Sequence, residues 1–175
     1  IDLSAVIQSS EPLLRTFIYA DTELIIHLPD SPAPVLADKI ELEQVLLNLV
    51  LNAINAVTSS GTIVISLQQT SSTVILEVRD NGPGVPNAIR EWVLEPFHTT
   101  HQEGSGLGLS TVQRIVQNGG GKVEIDTAPE GGACIKISLP AVSAQLIDMP
   151  IEINTPPVIK ALSILLVEDD PRVSK

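Results

Sequence analysis

Residues 80–110 carry most of the groups that could do chemistry, and they read DNGPGVPNAIREWVLEPFHTTHQEGSGLGLS. Two glycine clusters bracket the stretch, Asp80-Asn81-Gly82-Pro83-Gly84 and Gly104-Ser105-Gly106-Leu107-Gly108. Closely spaced glycines let a backbone approach a ligand and adopt positive φ. The first cluster follows an apolar alternating run, which places Asp80 at a strand end. The second opens an amphipathic run, and a glycine turn feeding a helix offers free N–H groups and the positive end of the dipole to an anion. A carboxylate before one turn and a phosphate-type cradle at the other point to a nucleotide lying between them.

A third set of polar side chains lies upstream. Gln44, Asn48, Asn52 and Asn55 recur at helical spacing within residues 39–57. At roughly 100° per residue they fall within about a quarter of the helix circumference. The rest of that helix is apolar, with Leu42, Val45, Leu46, Leu49, Ala53 and Val57 on one side and Leu47, Val50, Leu51 and Ile54 flanking. Two readings stay open. The helix is half exposed with its amides in water, or it is buried and presents neutral oxygen ligands to a cleft.

The elements that position these residues follow from local pattern. Residues 1–20 read as a short strand and then a helix, with Ser10 as a cap and Pro12 in the first turn. Residues 23–28 read as a strand, and Pro29, Pro32 and Pro34 break the chain before Asp38, a plausible N-cap. Residues 62–68 and 74–80 alternate as paired strands around a Thr/Ser turn. Residues 87–93 suit a short helix, and residues 95–104 a mobile loop. A helix is expected over 106–118, ended by Gly119-Gly120-Gly121, and a second hairpin over 122–127 and 133–139. After residue 140 the period is lost and prolines accumulate, as in a linker. Residues 161–167 are continuously apolar and end in Glu168-Asp169-Asp170, like the first buried strand of a parallel α/β domain.

Composition bounds the function. The chain has 175 residues, 43% of them apolar but only 2% aromatic, so Leu, Ile and Val must fill the core. A net charge of −11 argues against nucleic acid or an anionic membrane surface as partner. An acidic protein that binds an anionic nucleotide does so locally, through backbone dipoles and a metal ion. Cys134 is the only cysteine, which excludes an intrachain disulfide and a cysteine-cluster metal site. No apolar run reaches membrane-spanning length and the start is no signal peptide, so a cytoplasmic piece of a longer protein is expected, with any membrane anchor upstream.

Competing nucleotide motifs fail. There is no Gly-x-x-x-x-Gly-Lys-Ser/Thr, since Gly121-Lys122 is followed by Val123 and precedes a strand. Neither glycine cluster completes Gly-x-Gly-x-x-Gly. In order and content the chain instead resembles the catalytic ATP-binding domain of histidine kinases, in the Bergerat-fold superfamily shared with type II topoisomerases and mismatch-repair ATPases. Residues 43–53, EQVLLNLVLNA, resemble that family's asparagine box. Asp80-Asn81-Gly82-Pro83-Gly84 resembles its first glycine box, and Gly104-Ser105-Gly106-Leu107-Gly108-Leu109-Ser110 its second. Glu95-Pro96-Phe97 with Thr99-Thr100 resembles the phenylalanine box of the ATP lid, and Gly131-Gly132 before a strand ending Leu139-Pro140 resembles the closing strand.

The resemblance implies a two-layer α/β sandwich over residues 1–140, with a mixed sheet covered on one face by helices and ATP between the helices and a lid. It implies that Asp80 accepts a hydrogen bond from the adenine amino group and that Asn52 coordinates Mg²⁺. Asn48, Asn55, Gly82, Gly84 and Val85 complete the inner wall. Residues 87–105 form the lid, with Phe97 as its anchor and Thr99, Thr100 and His101 following. Gly104, Ser105, Gly106, Leu107 and Gly108 close on the phosphates. Two positions depart from the family's habit: His101 stands where Lys is common, and Ala133 where Thr is common.

The implied activity is transfer of the ATP γ-phosphoryl group to a histidine. The family's acceptor sits in a helical hairpin ahead of this domain in a dimeric parent, and neither His27, His98 nor His101 has its sequence context. No residue here is expected to act as a catalytic base. Hydrolytic relatives place a Glu four residues before the metal Asn, and here that position is Asn48, an amide that cannot take a proton from water; Asn48 could equally only satisfy local hydrogen bonds. The tail, ILLVEDDP at 164–171, resembles the start of a response-regulator receiver domain, in which Glu168 and Asp169 would hold Mg²⁺; an acidic pair before Pro171 could also be a simple helix cap. The organisation expected is therefore a catalytic domain over 1–140, a linker over 141–160 and a receiver start over 161–175, with a receiver or response regulator as partner. The rival classes are a serine-phosphorylating switch kinase of the same superfamily and a nucleotide-binding regulatory module without kinase activity.

Overall fold

The computed structural model describes residues 1–57, 60–90, 92–95, 107–129 and 131–142. Three helices, α1 (Leu3–Phe17), α2 (Lys39–Ala56) and α3 (Gly108–Asn118), lie on one face of a five-stranded sheet. The strands are β1 (Glu23–His27), β2 (Thr62–Gln69), β3 (Thr73–Asp80), β4 (Lys122–Thr127) and β5 (Ala133–Pro140), in the order β1-β2-β3-β5-β4. Only β1 and β2 run parallel; the other pairs are antiparallel. This is the expected mixed sheet with helices on one face. The alternation in the sequence sets which side chains meet those helices: Ile63, Ile65 and Leu67 of β2 are buried with Val74, Leu76 and Val78 of β3 and Ile135, Ile137 and Leu139 of β5.

Helix α2 is central to the helical layer. Its Asp38 cap accepts the backbone N–H of Ile40 at 2.7 Å and of Glu41 at 3.3 Å. It buries Leu42, Val45, Leu46, Leu49, Val50, Ala53 and Ile54 because α1 and α3 flank it above the sheet. That flanking explains the wide apolar arc seen in the sequence.

Three expectations change. No strand precedes α1: Ile1 and Asp2 pair with the loop 33–35 only as an isolated bridge, and the helix begins at Leu3. Its cap is Asp2, while Ser10 is buried inside the helix and Pro12 is an interior residue. Asp2 outcompetes Ser10 because its Oδ1 accepts both Ser4 N–H at 3.0 Å and, from 31 residues away, Ala33 N–H at 2.8 Å. The short helix expected over 87–93 is two separate 3₁₀ turns, Asn87–Ile89 and Trp92–Leu94. Finally, α3 starts at Gly108, with Leu107 at the cap position.

Past the end of β5, Ala141 pairs with Val35 as an isolated bridge, and Val142 N–H donates to Pro34 O at 2.9 Å. Residues 143–175 lie outside the described residues, and with them most of the expected linker and the stretch containing Glu168 and Asp169. Among the described residues no helix is long and apolar enough to cross a membrane.

Asp2 thus joins a helix start to a distant loop, whereas Asp38 caps locally. Asp2→Ala should cost about 1–2 kcal/mol of unfolding free energy in urea, and Asp38→Ala about 1 kcal/mol. A smaller loss at Asp2 than at Asp38 would show that the link to Ala33 contributes nothing.

Candidate functional site

Asp80 ends β3 with its side chain on the helix-covered face, only 7% exposed. Its Oδ1 accepts Gly82 N–H at 2.9 Å and Ala133 N–H at 3.2 Å. Both bonds go to one oxygen, so Oδ2 takes neither. Burial pushes the Asp80 pKa up from the ordinary aspartate value, and the two backbone N–H bonds pull it part of the way back.

The turn after Asp80 is packed on three sides. Asn81 exchanges bonds with Thr62 at the start of β2, its Oδ1 accepting Thr62 N–H at 2.8 Å and its own N–H donating to Thr62 O at 3.2 Å. A Cβ on Gly82 would lie 2.6 Å from Ala56 O, so the turn abuts the last turn of α2. Gly84 has φ +74° and Gly132 φ +81°. A Cβ on Gly84 would meet Gly132 O at 2.9 Å, and one on Gly132 would collide with the Asp80 carbonyl oxygen. Glycine is required at both on conformation and on contact. The first glycine turn and the turn between β4 and β5 therefore interlock beneath Asp80.

The amide stripe of α2 divides. Gln44 and Asn55 are exposed, while Asn48 and Asn52 are half-buried. Asn52 Nδ2 is fully buried and has no hydrogen-bond partner among the described residues. Opposite them stands Gly108, where a Cβ would lie 3.7 Å from Asn52 Oδ1 and Nδ2 and 3.8 Å from Asn48 Oδ1. Among the described residues no side chain caps α3. Its first N–H groups start beside the two amides, where a helix end can receive an anion.

Of the residues picked out by sequence, Asp80, Gly82, Gly84 and Val85 form one group and Asn48, Asn52 and Gly108 another, joined through α2. Leu107 is at the edge, 42% exposed. Phe97, Thr99, Thr100, His101, Gly104, Ser105 and Gly106 lie outside the described residues. Sequence reasoning missed the roles of Asn81, Ala133 and Arg90, although Asn81 stands in the first glycine box and Ala133 departs from the family's habit. Asn81 has a turn-type signature, but its pairing with Thr62 depends on strand register. Ala133 contributes through its backbone, which no side-chain pattern reveals. Arg90 ties the loop to β4 and carries no local signal at all.

A magnesium ion and an adenine nucleotide suit these groups. An amide with an orphaned buried nitrogen can turn its oxygen toward a hard cation. Among the described residues no three His, Cys, Asp or Glu side chains converge, so a cation here draws its neutralising charge from phosphate oxygens. Cys134 is buried, and burial pushes its thiol pKa up, with the Glu77 charge adding to the effect. An open groove of about 900 Å³ lies elsewhere, lined by Ile1, Pro34 and Val142. Among the described residues Asp2 is the one acidic or basic side chain on its walls, and Asp2 is already engaged in capping α1.

Comparison with known proteins agrees with this geometry. Residues 37–143 match the family described as histidine kinase-, DNA gyrase B-, and HSP90-like ATPase. The chain is 35% identical over 132 residues to the C4-dicarboxylate transport sensor protein DctB of Rhizobium meliloti (strain 1021), covering 74% of this chain and 21% of that protein. It spans about a fifth of the length of the curated relatives it matches. The fold superimposes on the mycobacterial sensor histidine kinase MprB with a TM-score of 0.73 at 30% identity, covering 81% of this chain and 97% of that one. It also superimposes on full-length ShkA in complex with AMPPNP, with a TM-score of 0.72 at 27% identity over 82% of this chain and 31% of that one.

The raised pKa of Asp80 makes a signed prediction. Its carboxyl binds a proton more tightly folded than unfolded, so its contribution is fullest below 3.8 and is lost as pH rises through the raised folded value. In urea titrations, wild type should gain stability relative to Asp80→Asn as pH falls through that window, and the difference should be flat above it. A difference that grows with rising pH would contradict the burial of this carboxylate.

Proposed function

Because the chain belongs to the family of histidine kinase-, DNA gyrase B- and HSP90-like ATPases, we propose that it is the ATP-binding catalytic domain of a two-component sensor histidine kinase. The observation that carries this reading is the anchored Asp80 carboxylate, bonded to both the first glycine turn and the start of β5, together with the amides of α2 that face Gly108. Asp80 accepts a hydrogen bond from the adenine amino group; guanine, which has a carbonyl there, meets a carboxylate and is refused. The uncapped start of α3 receives phosphate oxygens through backbone N–H groups. Asn52 holds Mg²⁺ by its amide oxygen, and Mg²⁺ bound there neutralises phosphate charge. Val85 and Asn55 line the same wall. Residues 87–105 form the lid, with Phe97, Thr99, Thr100 and His101 closing from the front and Gly104, Ser105 and Gly106 over the phosphates.

The acceptor is a histidine on a helical hairpin of the same dimeric parent, outside residues 1–175. His27 is a poor candidate, since it ends the strand β1 and belongs to no helical hairpin. Asn48 faces Gly108 from the position where a water-activating acid would be needed, and an amide cannot take that proton. That favours transfer to a protein side chain over hydrolysis, with docking of the hairpin supplying alignment. Beyond the domain we place a linker over 141–160 and the start of a receiver over 161–175, with Glu168 and Asp169 as its metal-holding acids. The parent is then a hybrid kinase that hands its phosphoryl group to a receiver domain or response regulator, and this domain works in the cytoplasm.

Three measurements test this. Calorimetry should give Mg²⁺-dependent binding of ATP and little binding of GTP, with Asp80→Asn losing roughly 1.5–3 kcal/mol of ATP affinity. Asn52→Ala should weaken binding far more in Mg²⁺ than in chelator; an equal loss in both would make Asn52 a structural residue. Incubated with labelled ATP, the chain should not label itself, and the parent's acceptor hairpin added in trans should gain acid-labile label at a low rate. Acid-stable label on this chain alone would overturn the histidine reading in favour of a serine kinase.

A further inference from the structure

Arg90 lies in the turn after the first 3₁₀ segment, with its side chain 21% exposed. Its guanidinium reaches in two directions. Nε donates to the Val85 carbonyl at 3.1 Å. On the other side NH1 donates to Asp126 Oδ1 at 3.1 Å and NH2 to Thr127 Oγ1, at the end of β4. Asp126 is 78% exposed in its side chain, so the ion pair as such is worth little in water. What matters is the planar fork, which can hold a carbonyl, a carboxylate and a hydroxyl at once.

Those contacts complete a circuit. Thr127 stands opposite Ala133 in the β4–β5 ladder, and Ala133 N–H donates to Asp80. Gly84 meets Gly132 in the same hairpin. The 82–85 turn is therefore held to one hairpin at two places, by glycine contact near Asp80 and by Arg90 at its far end. We propose that Arg90 is a positioning residue for the base end of the nucleotide site: by fixing the Val85 carbonyl to the end of β4, it holds the 82–85 turn at the spacing from Asp80 that an adenine ring requires. This rests on the nucleotide reading above. Arg90 touches no reacting atom and acts only through the turn.

The test uses the whole chain with Arg90→Met and Arg90→Lys. In calorimetry, Arg90→Met should lower affinity for adenosine and for ATP alike by about tenfold, as expected for the loss of one or two hydrogen bonds. The ratio of ATP affinities with and without Mg²⁺ should be unchanged. With the acceptor hairpin supplied in trans, KM for ATP should rise and kcat should hold. Arg90→Lys retains the charge but not the fork, so it should behave like Arg90→Met. Wild-type binding together with unchanged KM in Arg90→Met would overturn the proposal. So would full recovery in Arg90→Lys, or a loss confined to kcat and thermal stability, which would mark Arg90 as merely structural. Failure of the wild-type chain to bind any adenine nucleotide would instead remove the nucleotide reading, and this inference with it.

Discussion

One carboxylate oxygen accepts two backbone N–H groups that lie far apart in sequence, and much of the candidate site depends on that meeting. Asp80 Oδ1 joins Gly82, two residues on in the chain, to Ala133, 53 residues on. The bond to Gly82 curls the chain at the end of β3; the bond to Ala133 brings the β5 start underneath the curl. The buried carboxylate is costly to ionise, and its two donors offset that cost only in part.

Helix α2 links this corner to the phosphate-type end. The Ala56 carbonyl abuts the Gly82 turn, and one and two turns earlier Asn52 and Asn48 face Gly108. The helix can span both because it is locked along nearly its whole length between α1, α3 and the sheet. A half-exposed surface helix would present the same amides with far less fixed geometry. Gly108 completes the fit, since any larger side chain there would fill the space between the amides and the uncapped end of α3.

Legibility in the sequence followed the range of the forces involved. Strand alternation and the Asp38 cap are local, and the strands and α2 appear within a residue or two of where their patterns put them. The close approach of the first glycine turn was legible because a residue type is itself the signal for it. The start of α1 was not, because a proline was assigned to the first turn, where it is best tolerated, while the deciding bond ran from Asp2 to Ala33. The stretch 87–93 has helical content by composition, yet it forms separate 3₁₀ turns while Arg90 spends its donors on Val85 and the β4 end. Arg90 and Ala133 matter through strand register, which only the assembled sheet defines. Gln44 and Asn52 share a stripe by spacing but differ in burial, because α3 covers only part of α2.

The pairing around residues 33–35 makes two distant segments depend on each other. Ile1 bonds to Val35 in both directions, and Val142 bonds to Pro34, so the residues before α1 and those after β5 grip the same short loop. That loop runs into Asp38 and the start of α2. Displacing either segment therefore loosens a loop that the other also holds, and the disturbance is passed to the helix that carries Asn48 and Asn52.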